Sequence, residues 1–540
     1  MPADLIISGG EIITGIGNLI EAVAIEGPTI RATGTRSELR RLVGRHTDHL
    51  DLESRVLVPG FIDAHVHPLT GGLKLGRCAL EDAGGTVEAL AMVTQYAELH
   101  PDEEWIWGGG WSLAWFRGGT PDAASLDRVS GDRPAYLEVA DGHAAWVNSA
   151  ALRLAGIDSG TPDPADGRIE RRPDGSPQGT LHEGAMSLVE QHVPPPSSSE
   201  WEAALLAGQE YLLSCGIVGW QDAIVEPQHH QAYLAVAGRG ALKAHVVGAL
   251  WWDRHRSLDQ IEELVARRAQ MVPGYRATAV KLMLDGIAEN FTAALLDEYL
   301  DSAGRPSGNT GIDFIDPHDL KTLVTHLDRL GFQCHFHAIG NRAVRNALDA
   351  VEAAQAKNGR SDLRHHIAHL QLVASEDRVR LAELGVAANA QALWAAHEPQ
   401  MDQLTIPFLP EHLRGDQYPL ADIVAAGARL GMGSDWSVST ADVMQQIEVA
   451  TTRVAPHDRS SSPYAPHQAL TVEQALAGFT AGSAWINGWE TTAGTIEAGR
   501  RADFAILAAN PLSERPIGDI TVEATIIGGE VVFQRGLGGS

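Results

Sequence analysis

The sequence predicts an α/β protein. Its centre is a closed (β/α)8 barrel of the TIM type, joined to a small β-sandwich domain formed from both chain ends and to an α+β insertion after the first barrel strand. Three observations predict this. Eight short apolar runs recur through the middle of the chain, most of them separated by helical patterns, and repeated strand–helix units build a parallel sheet that closes at eight. Both chain ends read instead as short strands with glycine turns. One connection, of roughly 150 residues between the first and second runs, is too long for a single loop.

In chain order, DLIISGGEIITG, AVAIEGPTIRATG and RVLVPG alternate apolar and polar residues between glycines, as short strands do. The tail, GTIEAGRRADFAILAANPL and EATIIGGEVVFQRG, reads alike. Because chain termini often lie close together, residues 1–58 and 490–540 are expected to form one β-sandwich. The barrel strands are expected at FIDAHVH (61–67), GIVGWQDA (216–223), KAHVVGAL (243–250), AVKLMLDG (279–286), FQCHFHAIG (332–340), RHHIAHLQ (364–371), GVAANAQAL (385–393) and RLGMGSDWSV (429–438). Residues 59–76 and 200–489 then make the barrel, and 77–199 an inserted subdomain at its catalytic end. The run VPPPSSSE (193–200) reads as the hinge back into the barrel.

Composition narrows the function. With 41 basic and 69 acidic side chains the formal charge is −28, which repels phosphate backbones and argues against nucleic-acid binding. Three cysteines in 540 residues make no disulfide framework and suit a reducing compartment. The start, MPADLIISGGEIITG, lacks a basic, long-apolar secretory signal, and no run reaches the length of a membrane span. The expectation is a cytoplasmic protein acting on a small molecule, with a homodimer as the commonest assembly.

The polar residues at the C-terminal ends of the runs form a constellation. VPGFIDAHVHPL offers His65 and His67, two residues apart and so on one face of a strand. The fourth run adds Lys281, the fifth His337 with His335 on the same face, the sixth His369 and the eighth Asp435. In a barrel these strand ends converge on one mouth. Imidazole and carboxylate are the ligands a divalent ion needs. A lone strand-end histidine is ordinarily a satisfied polar group, and 23 histidines make a chance HxH easy. The ordered set on five strands is what tells against accident. Ser434, beside Asp435, sits in no nucleophile elbow.

The ordered set VPGFIDAHVH, DGHAAWVNSAAL, GTLHEGAM, VKLMLDG, HFHAIGNRAV, HHIAHLQ, LGMGSDWSV and GTIEAGRRADFAIL resembles the amidohydrolase superfamily of metal-dependent hydrolases over nearly the whole chain. More narrowly it is similar to the branch (amidohydrolase family 3) containing N-substituted formamide deformylases. The resemblance implies that His65 and His67 bind one metal, and that His337 and His369 bind a second. It implies that Lys281 is carboxylated and bridges the two ions, and that Asp435 binds metal and moves the proton. An ammonium has no lone pair, so an unmodified Lys281 would not ligate and would pair with Asp285 or another carboxylate. A single ion on His65, His67, His337 and Asp435 is then the alternative, with His369 free for acid–base work. The chain departs from the branch at Asn341, where aspartate is usual, and at Ala368, where glutamate is usual. Both departures bear on hydrogen bonds that orient His337 and His369.

The implied reaction is hydrolysis of a C–N amide bond by metal-activated hydroxide, with Asp435 as proton shuttle and Lys281 and His369 beside it in the catalytic set. Zinc is the default from ligand type, with iron, manganese or cobalt as alternatives. His143 and Trp146, Glu183, Trp111 and Trp115 are candidates from the insertion to line the substrate site. Trp394 and Trp436, after strands seven and eight, are further candidates. The competing reading is that His143, Asn148 and Glu183 only hold the insertion together. An aromatic wall suits an N-aryl or N-benzyl formamide. Cyclic-amide hydrolase, deaminase and lactonase are alternatives on the same barrel. A non-catalytic metal-stabilised binding protein is the reading from another class.

Overall fold

The computed structural model describes residues 2–15, 17 and 20–536. Eight parallel strands run in the order β1 (Phe61–Val66), β2 (Ile217–Val225), β3 (His245–Trp251), β4 (Tyr275–Met283), β5 (Gln333–Ala338), β6 (His366–His369), β7 (Ala387–Ala390) and β8 (Leu430–Met432). All are largely buried, which is why they read as near-continuous apolar runs. Helices cover the outer face, among them Ser198–Ser214, Pro227–Gly238, Pro317–Arg329 and Asn341–Asn358.

The seam between β8 and β1 is joined just past the end of β8. The Asp435 amide donates to the His65 carbonyl at 2.8 Å, and the His67 amide to the Trp436 carbonyl at 2.7 Å. Deeper in the seam the Asn389 side-chain amide donates to the Ala64 carbonyl at 2.8 Å. Gly433 makes this approach possible: a Cβ there would lie 2.5 Å from the His65 amide nitrogen. The expected strands all occur; β6 and β7 are shorter than the expected runs at both ends, and β4 and β8 also differ in extent. β4 starts at Tyr275, before the apolar run, because Tyr275 and Ala277 face the core in alternation with Arg276 and Thr278. β8 is only three residues long, because the chain turns away so that Asp435 adopts φ 56°.

Residues between β1 and β2 contain a second, six-stranded sheet. Its order is Gly167–Arg171, Pro177–Glu183, Ala144–Val147, Ala135–Val139, Ile106–Trp111 and Cys78–Ala79. One of its apolar clusters, built on Trp111, Leu137 and Trp146, also contains Ile287, Ala293 and Ile339 from the loops after β4 and β5. That shared cluster docks the insertion on the C-terminal end of the barrel. The proline–serine run leads into helix Ser198–Ser214, where Ser197 and Glu200 form a reciprocal capping box.

The chain ends form two sheets. One has the order Thr29–Gly34, Ala22–Glu26, Leu5–Ser8 and Asp48–Asp51. The other has the order Glu11–Ile12, Val56–Pro59, Phe504–Leu507, Val522–Ile527 and Glu530–Gln534. Val56–Pro59 pairs antiparallel with Phe504–Leu507, so both ends of the chain share a sheet. A single apolar cluster with Ile7, Val23, Leu57, Phe504 and Ile526 spans the two sheets. Cys78, Cys215 and Cys334 are all free thiols. Among the described residues no helix is long and apolar enough to cross a membrane.

Gly433→Ala is expected to open the seam. The added methyl would meet the His65 amide, the His65 Cβ and the Asp63 carboxylate within 3.0 Å. Overpacking of this kind costs about 1–3 kcal/mol. A lowered melting temperature and a displaced His65 in the variant's crystal structure are the expected results.

Candidate metal centre

The C-terminal ends of the barrel strands open into a cavity of about 940 Å3, walled in part by the insertion. His65 Nε2 and His67 Nε2 approach Asp435 Oδ1 at 3.2 and 2.9 Å, and His369 Nδ1 lies 3.8 Å from Asp435 Oδ2. His65, His369 and Asp435 each place a ligand atom within 4.8 Å of the other two. Lys281 Nζ stands 3.5 Å from His65 Nε2. The His337 ring is 4.5 Å from the His369 ring, centroid to centroid, and its Nε2 faces the Gly286 carbonyl at 3.4 Å. All six line the cavity. His65, His67, His369 and Asp435 are the tight set; Lys281 sits beside His65, and His337 lies beyond His369.

Parallel pairing sets the levels of these side chains. Lys281 is the register partner of His335, Met283 of His337, and Ala338 of His369. Neighbours in register on parallel strands face the same way, so alternation puts Lys281, His335 and His337 inside the barrel. His369 and Asp435 leave their strands with φ 76° and 56°, left-handed conformations that cost roughly 1–3 kcal/mol each in such residues. Specific bonds hold them. The Gln391 side chain accepts from the His369 amide at 2.7 Å. Asp63 accepts from the Ser434 hydroxyl at 2.5 Å and from the Ser434 and His65 amides. Ser434 therefore anchors the loop that carries Asp435. Asp63 and Gln391 were not among the site residues read from the sequence. Their role is to hold backbone, and no residue-type pattern in the sequence marks such a role.

Burial shapes the charges. It pulls His65 down to about 3, with the Lys281 charge adding to the effect, so His65 is a neutral imidazole at neutral pH. Burial likewise takes His337 and His369 well below the ordinary histidine range. Asp435 resists burial because His65 and His67 hold its carboxyl well below the usual range. Burial pulls the Lys281 amine down to about 7. No carboxylate of the described residues lies within 4.0 Å of Lys281 Nζ. Asp285 instead accepts the backbone amides of Ala294, Ile339 and Gly340 at 2.8, 3.0 and 2.8 Å.

These residues fit a divalent cation. His369 Nδ1 is buried with no hydrogen-bond partner among the described residues, a costly arrangement in a core. Neutral imidazoles around one carboxylate are electron-pair donors that a cation satisfies together.

The cavity wall separates the predicted substrate contacts. His143 and Glu183 line it, paired through His143 Nδ1 at 3.1 and 3.0 Å from the two carboxylate oxygens. Burial opposes a charge on His143, but the Glu183 carboxylate raises it to about 9. Glu183 also accepts from the Thr292 hydroxyl at 2.8 Å, which ties the insertion to the barrel. Trp394 lines the cavity and stacks on His369 at 5.7 Å and 21°. Trp107, Trp201 and Trp251 line it too, though the sequence reading had not singled them out.

Four expected aromatic contacts, at Trp111, Trp115, Trp146 and Trp436, are corrected. Trp111 is fully buried in the insertion core, its indole N–H bonded to the Leu137 carbonyl at 2.8 Å. Trp115 packs on the same cluster, outside the cavity lining. Trp436 is buried against Tyr211 at 4.6 Å and also lies outside the lining. Trp146 and Asn148 serve the insertion itself: Trp146 donates to the Asp122 carbonyl, and Asn148 caps helix Ser149–Leu154. Asn341 accepts from the Leu296 amide and makes no bond to His337 among the described residues.

The site and the fold define a metal-dependent hydrolase built on a (β/α)8 barrel. The model of the amidohydrolase family matches residues 48–533, and the chain belongs to that family of hydrolases acting on carbon–nitrogen bonds. It is 28% identical to the protein LONG AFTER FAR-RED 3 of Arabidopsis thaliana, over 98% of this chain and 92% of that one. It is 26% identical to an N-substituted formamide deformylase of Arthrobacter pascens, over 95% of each chain. The fold matches a crystal structure of an uncharacterized metal-dependent hydrolase from Pyrococcus furiosus with TM-score 0.73 and 23% identity, covering 94% of this chain and all of that one.

The two kinds of tryptophan predict opposite phenotypes. Trp111→Ala is expected to cost about 3–5 kcal/mol of stability through cavity formation, with little effect on KM in the folded fraction. Trp394→Ala is expected to raise KM while leaving the melting temperature near that of the parent. Thermal melts and steady-state kinetics check both.

Proposed function

We propose that this enzyme hydrolyses the C–N bond of an N-substituted formamide or a related aromatic or apolar amide. The observation that carries the proposal is the convergence of His65, His67, His369 and Asp435 at one end of a cavity walled by Trp107, Trp201, Trp251 and Trp394. The Arthrobacter relative supports the formamide class. His65, His67, His337, His369 and Asp435 would hold the divalent metal, zinc by ligand type. Lys281 joins them once carboxylated, which makes two ions the expected count. Such a centre supplies Lewis acidity, lowering the pKa of water toward neutrality and polarising a carbonyl oxygen.

The chain's own groups do the rest. Asp435, ionised and beside His65 and His67, takes the proton of the attacking water and delivers it to the nitrogen as the C–N bond breaks. Trp394, stacked on His369, offers an apolar face to the substituent of the amide. His143, fixed by Glu183, places a polar group in the cavity wall. The division into an end domain (1–58 with 490–540), a barrel (59–76 with 200–489) and an insertion (77–199) is part of this reading, with the two end sheets as a β-sandwich.

Metal-replete protein is expected to release formate and amine from N-benzylformamide or an N-arylformamide, and to lose activity on chelation. No turnover across a formamide panel at full metal content would sink the substrate class. Asp435→Asn is expected to lower kcat by roughly 10²–10⁴-fold. Near-normal turnover in that variant with metal bound would remove Asp435 from the proton path. Metal analysis distinguishes two ions per chain from one.

A further inference from the structure

We propose that His335 is a positioning residue that sets the tautomer and orientation of His65 for metal binding. The proposal rests on the metal reading of the site above. His335 lies on β5 in register with Lys281 on β4 and His366 on β6, one layer below His337. Its Nε2 is 2.8 Å from His65 Nδ1. The other nitrogen of His65, Nε2, faces Asp435 Oδ1 at 3.2 Å and Lys281 Nζ at 3.5 Å. The two ring nitrogens of His65 are thus divided: one toward the ligand cluster, one toward His335.

The proton positions follow. A histidine that ligates through Nε2 must present a lone pair there, so its proton sits on Nδ1. That proton needs an acceptor, and His335 Nε2 is the atom in place. His335 must then carry its own proton on Nδ1. That nitrogen is buried and has no hydrogen-bond partner among the described residues, so nothing competes for the tautomer. The edge of His366 packs against the ring at 4.2 Å and 61° and holds it upright. His366 is itself buried.

This arrangement is costly unless it has a use. A buried polar group left without a partner costs about 1–3 kcal/mol, and His335 spends its one side-chain bond on His65. A carboxylate or a backbone carbonyl is the usual acceptor behind a metal-bound histidine. An imidazole there is neutral. It orients His65 without adding negative charge, so the Lewis acidity of a bound ion is less damped than it would be above a carboxylate.

The test is zinc affinity, measured on the full chain by competition with a chromophoric chelator, which needs no substrate. His335→Leu removes the acceptor, and about 10–100-fold weaker zinc binding is expected, the usual cost of losing such a partner. His335→Gln can accept at similar reach and is expected to restore most of the affinity. Leucine and glutamine variants that bind zinc as the parent does would overturn the proposal. So would a folded glutamine variant no better than leucine. If the leucine variant fails to fold, His335→Gln and His335→Asn decide. Asparagine is a methylene shorter and should bind more weakly, and equal affinities would again overturn the proposal. A parent protein that binds no zinc or other divalent ion would instead overturn the metal reading itself, and this proposal with it.

Discussion

The seam between the first and last barrel strands is the constraint on which the site depends. Two backbone hydrogen bonds there, Asp435 to His65 and His67 to Trp436, bring together segments about 370 residues apart in the chain. Because three of the four bonded residues are themselves candidate ligands, closing the barrel and assembling the site are one event. Gly433 allows the backbones to meet, and the Asp63–Ser434 pair keeps the last loop against the first strand. Without that contact Asp435 would have no reason to hold a left-handed backbone.

The interior above the seam carries an electrostatic cost. Histidines from three strands, a lysine and an aspartate are withdrawn from water with few hydrogen bonds among them. An ordinary core would satisfy such groups in pairs or exclude them. Here burial keeps the imidazoles of His65, His337 and His369 neutral and the lysine poised near neutrality, while Asp435 stays anionic, surrounded by nitrogen donors. The arrangement makes physical sense around a cation. The layer beneath, His335 and His366, continues the same economy of polar contacts toward the barrel interior.

The insertion gives the site its walls. Its apolar core merges with the loops after β4 and β5, so it is part of the mouth and not an appendage. Glu183 bridges the two units: it grips His143 within the insertion and accepts from Thr292 on the barrel. Aromatic residues divide accordingly. Trp111 and Trp146 fill the core of the insertion, whereas Trp107, on the same strand as Trp111, and Trp394 reach the cavity.

The sequence by itself determined the barrel, its strand count and the candidate ligands. Buried parallel strands are written as local apolar runs, and a ligand must be a residue with the right donor at a strand end; both are properties of short segments. Only the tertiary structure decided which tryptophans line the cavity. Trp111 and Trp107 are four residues apart on one strand, and which indole reaches the cavity depends on how the insertion packs. The same holds for Asp63, Gln391 and His335. They act through hydrogen bonds to partners distant in the chain, on segments whose spacing the sequence does not encode, so their roles became legible only when the strands were set side by side.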